Sequence, residues 1–329
     1  MLNSTQANHR DTSTSKAGVQ SELMGEFGYL IEKIERAEFR QDPFRFVLID
    51  DFLSREHFDQ IVSLEQIRRP VAKSTEVLVS DLLNSGYKVQ HFPGCTTSVK
   101  DYLACYNSKK WPTDKGLLEG YGLTFRMHEY RAPLLARLVE FLNTPEFQVA
   151  LERKFGIERP CYVETAIQKY LHGYEISPHP DIRKKAATYM LNINTSAESE
   201  KVDIHTHLLT FRPERRYLYD FWRHNPEVDR CWVPWDWCET KLETRTNNSI
   251  VLFAPSDDTL HAVKLAYDHL AFQRTQVYGN LWYTVEPDAR TVSYRDIDLR
   301  AQTKNLRSAV PLPIKRLLKK LTKRGIPGL

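Results

Sequence analysis

Hydrophobic residues near the start of the chain recur at helical spacing. Residues 21–37 form an amphipathic pattern that predicts a helix, with Ser21 as its N-cap and an apolar face made of Leu23, Phe27, Leu30, Ile31 and Ile34. The residues before it are polar and contain no apolar run. Residues 1–20 are therefore expected to be a disordered lead and not a secretory signal.

The rest of the N-terminal half predicts one strand and several helices. Residues 43–52 (PFRFVLIDDF) predict a strand, and Ser54 directly after it is suited to cap a helix. Residues 132–143 follow a helical pattern. A further helix is predicted from Thr144-Pro145, because threonine is a good N-cap and proline fits the first helical position.

From residue 161 onward the apolar pattern changes from helical to extended. Runs rich in β-branched and aromatic residues predict strands over 161–171, 186–194, 202–211, 249–254 and 274–285. Residues 212–245 interrupt this series as an insertion dense in aromatic residues. Short strands separated by turn signals are typical of a sandwich or barrel. We therefore expect an α+β fold in which a helical part, residues 21–160, packs on a β-rich part, residues 161–290, within one domain spanning 21–300.

Composition excludes several other classes of protein. With 329 residues, 41% of them hydrophobic, the chain can bury a substantial core without disulfide bonds. Its five cysteines include no CxxC pair, which argues against a structural zinc site and favours a reducing, cytoplasmic location. No apolar stretch approaches the roughly 18 residues that a membrane span needs.

The net charge of +4 is concentrated at the C-terminus. The last twenty residues contain no acidic residue but six basic ones: Lys315, Arg316, Lys319, Lys320, Lys323 and Arg324. Without them, 40 basic residues face 42 acidic ones, so the body is nearly neutral and a nucleic-acid partner is not expected. The basic tail, residues 301–329, predicts either weak contact with an anionic membrane or, as the favoured alternative, a solvated or packed terminal helix.

The segment SPHPD at 177–181 carries the clearest chemical signal. In an extended chain His179 and Asp181 point to the same side, which provides an imidazole and a carboxylate for one metal ion. Pro178 and Pro180 cannot donate ladder hydrogen bonds, so this segment is expected at a strand end or a sheet edge. The alternative is a loop histidine that is hydrogen-bonded to the aspartate.

A third metal ligand is expected from a histidine on a later strand. In FAPSDDTLHAV at 253–263, a buried strand ends in a proline turn and His261 opens the next extended piece. Arg274 follows at the start of a strong strand, where its guanidinium can bind a carboxylate through two parallel hydrogen bonds. The alternative is an arginine paired with one of three nearby acidic residues, Asp257, Asp258 or Asp268.

An HxD motif, a distant histidine and a downstream arginine together resemble the 2-oxoglutarate/Fe(II) dioxygenase superfamily, particularly its prolyl-4-hydroxylase-like branch. The segment PFRFVLIDDFLSREHFDQI at 43–61 also resembles the strand and helix that often precede the core of that branch. The resemblance implies a double-stranded β-helix (a jelly-roll, cupin-like core). It further implies that His179, Asp181 and His261 hold Fe(II), that Arg274 holds the C5 carboxylate of 2-oxoglutarate, and that O2 is consumed. Ascorbate is a further candidate cofactor.

Other residues are predicted as weaker contributors to the same site. Gln168 and Tyr170, on the strand before HxD, and Tyr189, on the strand after it, are candidate contacts of the co-substrate. Trp222, Trp235 and His207 are candidate contacts of the substrate. The aromatic insertion has two open interpretations, a lid over the substrate or a loop whose tryptophans pack onto the barrel.

Three functional hypotheses follow. The first is a dioxygenase that hydroxylates a small molecule, an amino acid or a peptidyl residue, with decarboxylation of 2-oxoglutarate to succinate. The second uses the same site for desaturation, cyclisation or demethylation. The third is a non-catalytic, cupin-like binding module, and the joint presence of the ligand triad and the arginine argues against it. The sequence does not indicate the oligomeric state.

Overall fold

The computed structural model describes residues 11–91, 98–109, 122–230, 232–285 and 288–298. In this part of the chain the α-helices are α1 Asp11–Phe27, α2 Tyr29–Arg36, α3 Arg55–Ser63, α4 Thr75–Asn84, α5 Val99–Ser108, α6 Pro133–Phe141, α7 Pro145–Phe155, α8 Tyr217–His224 and α9 Tyr294–Ile297. The strands are β1 Val47–Ile49, β2 Tyr87–Gln90, β3 Thr124–Met127, β4 Cys161–Tyr170, β5 Glu175–His179, β6 Lys185–Asn192, β7 His207–Phe211, β8 Val228–Arg230, β9 Cys238–Glu243, β10 Ile250–Phe253, β11 His261–Lys264, β12 Arg274–Tyr283 and β13 Arg290–Thr291. Short 3-10 helices lie at Ala197–Lys201, Pro213–Arg215 and Trp235–Trp237.

Side-chain caps determine where two of the predicted helices begin. The Ser54 hydroxyl accepts a hydrogen bond from the backbone N–H of His57, which starts α3 as predicted. The Thr144 hydroxyl accepts from the N–H of Phe147, and Pro145 takes the first position of α7. The helix predicted over 132–143 is present as α6. These helix starts could be predicted because the capping signal is local.

The first helix differs from the prediction. Its helical backbone begins at Asp11, and Gly28 separates α1 from α2, so Ser21 lies inside a helix and the prediction that it is an N-cap is wrong. Residues 11–20, predicted as part of a disordered lead, belong to α1 in the structure, while residues 1–10 lie outside the described part. Helix formation is cooperative, so a segment fixed by packing of Leu23 and Phe27 extends readily into polar residues before it.

Two antiparallel sheets form most of the β-rich half, and β8 and β13 form a separate parallel pair. The larger has the strand order β1-β10-β6-β12-β4-β3-β2 and the smaller has the order β5-β11-β7-β9. From β4 to β12 the chain passes repeatedly between the two sheets, with β4, β6, β10 and β12 in the larger and β5, β7, β9 and β11 in the smaller. Residues on the facing sides of both sheets line one cavity, which is described below.

One continuous hydrophobic core joins the helical and β-rich halves. Buried residues of the helices, such as Leu30 and Phe141, belong to the same cluster as buried residues of the larger sheet, such as Leu191 and Val277. The larger sheet therefore has one face on the helices and the other on the cavity. This arrangement holds the cavity wall rigid, because core packing fixes the strands from behind.

The C-terminal strands appear where predicted, with two differences. The predicted strand over 202–211 is only β7, because residues 202–206 follow a 3-10 helix and do not pair with a strand. The predicted insertion over 212–245 is not a plain connection, since β9 within it pairs with β7 and completes the smaller sheet. The remainder of the insertion packs around a separate small core that includes Trp222 and Trp237.

Among the described residues, none of the helices combines the length and hydrophobicity required to cross a membrane. The basic tail, residues 301–329, lies outside the described part of the chain, and so do the two predictions made for it.

Lys169 gives the fold a measurable pH dependence. Its ammonium group is buried on β4, where it donates to the carbonyl of Ile67 and to Thr275 Oγ1, both at 2.8 Å. Burial, with a contribution from Arg69, lowers the pKa of Lys169 from 10.5 to about 7. Between these values the unfolded chain binds a proton that the folded chain does not, so stability is expected to rise with pH.

We expect the free energy of unfolding to increase between pH 7.5 and pH 9.5. Lys169 should contribute up to about 1.4 kcal/mol per pH unit to this increase. In Lys169→Met this contribution should disappear. Urea unfolding at several pH values measures it, and Lys88→Met, at an exposed position on β2, is the control. An equal pH slope in wild type and Lys169→Met would show that Lys169 is charged in the folded protein.

Candidate active site

His179 and His261 lie opposite each other in the smaller sheet. They are register partners at the end of β5 and the start of β11. As predicted for a proline-flanked segment, β5 is an edge strand and His179 is its last residue. The register shifts by one residue between this pair and the pair Val263–Ile176, a β-bulge beside the candidate ligands.

The donor atoms of three side chains converge at this position. Asp181 Oδ1 lies 4.0 Å from His179 Nε2 and 3.8 Å from His261 Nε2, and one donor from each residue lies within 4.8 Å of the others. Nitrogen and oxygen ligands bind a transition metal at about 2.0–2.2 Å, so neighbouring donors on one ion are about 3 Å apart. The three donors are somewhat farther apart than this, and small movements of the side chains would bring them to one ion.

The two imidazoles are held in the form that a metal ion requires. His179 Nδ1 lies 2.8 Å from the carbonyl of Ser177, and His261 Nδ1 lies 2.9 Å from the carbonyl of Thr259. A proton on each Nδ1 leaves the Nε2 lone pairs facing Asp181. Burial lowers the pKa of both histidines, that of His179 well below its usual range, so both are neutral at pH 7.

Asp181 is fixed by two further side chains. Its Oδ2 accepts from Thr188 Oγ1 at 2.6 Å, and its Oδ1 accepts from the Lys185 ammonium at 2.5 Å. Burial raises the pKa of Asp181, but the Lys185 ammonium outweighs burial and holds that pKa well below its usual range. Asp181 is thus a carboxylate, and Lys185 is its counter-ion in this structure.

Arg274 lies in the same cavity, at the start of β12, with a side chain that is almost fully buried. Its Nη2 donates to Thr206 Oγ1 at 3.1 Å, and its guanidinium lies 4.7 Å from the ring centre of Tyr170. Burial lowers its pKa, and the groups that oppose this effect are tyrosine hydroxyls, not carboxylates. Among the described residues, its Nε has no hydrogen-bond partner.

The carboxylates that offered an alternative partner for Arg274 are bonded elsewhere. Asp257 accepts from Arg183, Asp258 from the hydroxyl of Ser256, and Asp268 from the backbone N–H of Leu270. A buried guanidinium without an anion is unfavourable, because burial removes the hydration of the charge and no ion pair compensates for that loss. Arg274 therefore has the properties of a binding group for a small anion.

The cavity between the two sheets has a volume of about 150 Å³. Gln168 and Tyr170, predicted as co-substrate contacts, both line it. With its amide oriented so that nitrogen donates to Tyr170 Oη at 2.8 Å, Gln168 accepts from Arg126 Nη2 at 3.0 Å. Arg126 is also paired with Glu164 at 2.7 Å. One wall of the cavity is therefore polar and already hydrogen-bonded.

Tyr189 does not reach this cavity, so the prediction that it contacts the co-substrate is corrected. Its ring packs in the main core against Phe147, on the opposite face of the larger sheet. Gly279 on β12 leaves room for it, since a Cβ there would lie 2.1 Å from Tyr189 Cζ. The neighbouring residues Thr188 and Met190 are those whose side chains face the cavity.

The three predicted substrate contacts also lie elsewhere. Trp222 is buried in the small core of the insertion, where its ring centre lies 5.3 Å from that of Phe211. Trp235 donates to Glu175 Oε1 and packs on His207, which faces Asp203, Thr240 and Glu243 outside the cavity. These contacts favour the second interpretation of the insertion, in which its aromatic residues pack onto the barrel.

Arg183 connects the insertion to the candidate metal site. Its backbone N–H donates to Asp229, and its guanidinium donates to the carbonyls of Val228 and Trp222 and to Asp257, at 2.7–3.0 Å. The turn that carries Asp181 is thereby tied to the insertion and to the turn that precedes His261. The insertion therefore helps to fix the position of the turn that carries Asp181.

Lys185, Thr188 and Thr206 are site residues that the sequence analysis did not select. Lys185 follows Asp181 by four residues and begins the next strand, so the sequence could have predicted that the two side chains lie close together. Thr188 had a weaker signal, because alternation along β6 does not reveal which face is inside. Thr206 carried no signal, since it is next to Arg274 only in the folded chain.

No protein-family model matches the sequence, and a search of curated proteins finds no similar chain. Among solved structures, a prolyl-4-hydroxylase of Pseudomonas putida is similar, with 10% identity over 78% of this chain and 98% of that one and a TM-score of 0.41. A prolyl hydroxylase of Trichoplax adhaerens has 10% identity, 84% and 94% coverage and a TM-score of 0.39. HygX of Streptomyces hygroscopicus, solved with nickel, 2-oxoglutarate and hygromycin B, has 11% identity, 63% and 88% coverage and a TM-score of 0.31.

Arg274 has no acidic partner among the described residues, and this predicts an unusual effect on stability. In ligand-free protein, Arg274→Met should leave the free energy of unfolding unchanged or raise it by about 1–3 kcal/mol, since a similar volume is kept and a buried charge is removed. Urea unfolding followed by circular dichroism measures the change.

Arg183→Met is the matched comparison, because the same substitution there removes a guanidinium with several partners. We expect it to lower the free energy of unfolding by roughly 2–4 kcal/mol. If Arg274→Met were destabilised by a similar amount, Arg274 would be a structural residue and not an anion site.

Proposed function

We propose that this protein is an Fe(II)- and 2-oxoglutarate-dependent oxygenase. One observation carries the proposal: three convergent donors, His179, Asp181 and His261, share a cavity with the buried guanidinium of Arg274, whose Nε has no hydrogen-bond partner among the described residues. Metal chemistry alone would need only the triad. An anion site alone would need only the arginine. A bidentate keto-acid with a second carboxylate uses both at once.

The strand arrangement supports a double-stranded β-helix for residues 161–290. Strands β10-β6-β12-β4 are adjacent in the larger sheet and β5-β11-β7-β9 are adjacent in the smaller. From β4 to β7 and from β9 to β12 successive strands alternate between the two sheets, as in a jelly roll, while β7 and β9 pair within the smaller sheet. The helical part, residues 21–160, packs on the outer face of the larger sheet and belongs to the same proposed domain.

The side chains fit a ferrous ion. Two neutral imidazoles and one carboxylate on one side of an ion form the 2-His-1-carboxylate set, which leaves open positions for other ligands. Each imidazole has its second nitrogen hydrogen-bonded, and Asp181 Oδ2 is held by Thr188. Such outer contacts orient metal ligands. We propose His179, Asp181 and His261 as the ligands.

The side chains also fit 2-oxoglutarate. Arg274 would hold its distal carboxylate, where charge-assisted hydrogen bonds would satisfy the free Nε–H. Gln168 and Tyr170 line the same region and are proposed as secondary contacts. When Fe(II), 2-oxoglutarate and O2 are bound, the site would supply oxidative decarboxylation to succinate together with oxidation of a substrate C–H bond.

The chain itself contributes position and environment. The low pKa values of His179 and His261 keep both lone pairs available at neutral pH, and burial removes water that would compete for them. The core behind the larger sheet keeps β12, with Arg274 on its cavity face, at a fixed position relative to the ligand triad. A cavity of this kind holds a co-substrate in one orientation and limits unproductive oxidation.

Hydroxylation of a small molecule, an amino acid or a peptidyl residue in the cytoplasm is the activity that we propose first. Desaturation, cyclisation and demethylation use the same residues and differ in where the substrate C–H bond lies. A non-catalytic binding module is disfavoured by Arg274, which has no acidic partner in the described part of the chain, because a metal-only or empty barrel has no use for a buried guanidinium.

The test removes one ligand at a time. His179→Ala and His261→Ala should each weaken Fe(II) binding by roughly 100-fold and abolish succinate formation from 2-oxoglutarate, because each removes one of three donors. Anaerobic calorimetry measures metal binding. Succinate is measured alone and with a panel of amino acids, peptides and biosynthetic intermediates.

His207→Ala is the matched control, since this histidine also has acidic neighbours but lies outside the cavity. It should retain metal binding and succinate formation. Wild-type protein that binds neither Fe(II) nor 2-oxoglutarate would refute the proposal. Folded His179→Ala protein that still forms succinate would do so as well.

A further inference from the structure

Lys185 is a cation inside the cavity that the proposed chemistry does not use. Its side chain is about 10% exposed, and its ammonium contacts Asp181 Oδ1 at 2.5 Å and the hydroxyl of Tyr278 at 2.9 Å. The same ammonium lies 5.7 Å from the ring centre of Trp282. A lysine buried in this way needs a counter-ion.

The counter-ion of Lys185 is Asp181, and the ammonium contacts the carboxylate oxygen that a metal ion would also bind. The Asp181 oxygen that faces both imidazoles is Oδ1, and Lys185 contacts this same oxygen. The other oxygen, Oδ2, is turned toward Thr188. A divalent cation bound by the triad would compete with the ammonium for Oδ1 and repel it. Lys185 would then be a buried cation without a paired anion.

The charges of the cavity lead to the same conclusion. Asp181 provides one negative charge, while Lys185 and Arg274 provide two positive charges, so the buried groups carry one excess positive charge. Fe(II) and the 2-oxoglutarate dianion cancel each other and leave that excess unchanged. Arg126, the other cation of the lining, is already paired with Glu164.

We propose that the substrate carries a carboxylate that binds Lys185 and the hydroxyl of Tyr278. This inference rests on the proposed function and names its substrate class. One carboxylate balances the single excess charge. A phosphate monoester, with about two charges at pH 7, would reverse it. The rings of Tyr278 and Trp282 flank the ammonium and would pack against the part of the substrate next to its carboxylate.

The first experiment measures competition at Asp181 without any turnover. Mn(II) binding is measured by calorimetry in wild type, Lys185→Met and Lys185→Arg. Loss of the ammonium should tighten Mn(II) binding about tenfold or more, while arginine should not, because only methionine removes the positive charge. Lys201→Met, at an exposed position, is the control and should bind as wild type does. Unchanged or weaker Mn(II) binding in Lys185→Met would overturn the proposal.

The second experiment measures recognition of the carboxylate. Protein loaded with Mn(II) and saturating 2-oxoglutarate is titrated with acetate and acetamide, and with phenylacetate and phenylacetamide. In at least one pair, wild type should bind the carboxylate about tenfold or more tightly than the neutral amide, as expected for a hydrogen-bonded ion pair. The preference should vanish in Lys185→Met and persist in Lys185→Arg.

The outcomes separate this inference from the proposed function. If wild type loads with Mn(II) and 2-oxoglutarate but binds no carboxylate better than its amide, the substrate class is wrong and the proposed function stands. A preference that survives in Lys185→Met also overturns the role of Lys185. If the protein fails to load with either Mn(II) or 2-oxoglutarate, both proposals fall.

Discussion

The candidate site depends on the register in which two short strands meet. His179 and His261 are far apart in the sequence but are direct partners across β5 and β11. A shift of one residue would turn one imidazole to the opposite face of the sheet. A bulge adjoins this pair, and Asp181, two residues after His179, has its Oδ1 within 4.0 Å of both imidazole Nε2 atoms. Backbone pairing, more than any side-chain contact, therefore creates the donor set.

Charge is distributed in the cavity so that the protein alone cannot neutralise it. Arg274 is buried with an unsatisfied Nε, and Lys185 occupies an oxygen that faces two imidazoles. Burial of Arg274 is costly in the isolated protein and becomes favourable when an anion enters, whereas Lys185 is paired with Asp181 until a metal ion competes for that carboxylate. The protein tolerates this energetic cost because the core between the helices and the larger sheet stabilises the fold elsewhere. Function and stability are thus separated between the two faces of one sheet.

The sequence predicted the site best where the signal was local or had a fixed period. His179 and Asp181 could be paired because side chains alternate along an extended chain. The role of Arg274 as a candidate anion site was implied by the resemblance of its position, after the HxD motif and the distant histidine, to the dioxygenase pattern. Tyr189 was misplaced because alternation does not tell which face is inside. The tryptophans of the insertion were misassigned because aromatic content alone does not distinguish packing from ligand contact.

Arg183 has a consequence for how this scaffold can be modified. Many surface insertions tolerate shortening, because they contribute little to the body of a protein. Here the segment around Trp222 and Val228 supplies carbonyl oxygens to a guanidinium two residues from Asp181. Deleting this segment to obtain a minimal barrel would remove the hydrogen bonds that hold the turn with Asp181. A truncated design must therefore supply other acceptors for Arg183, or replace Arg183 when the segment is removed.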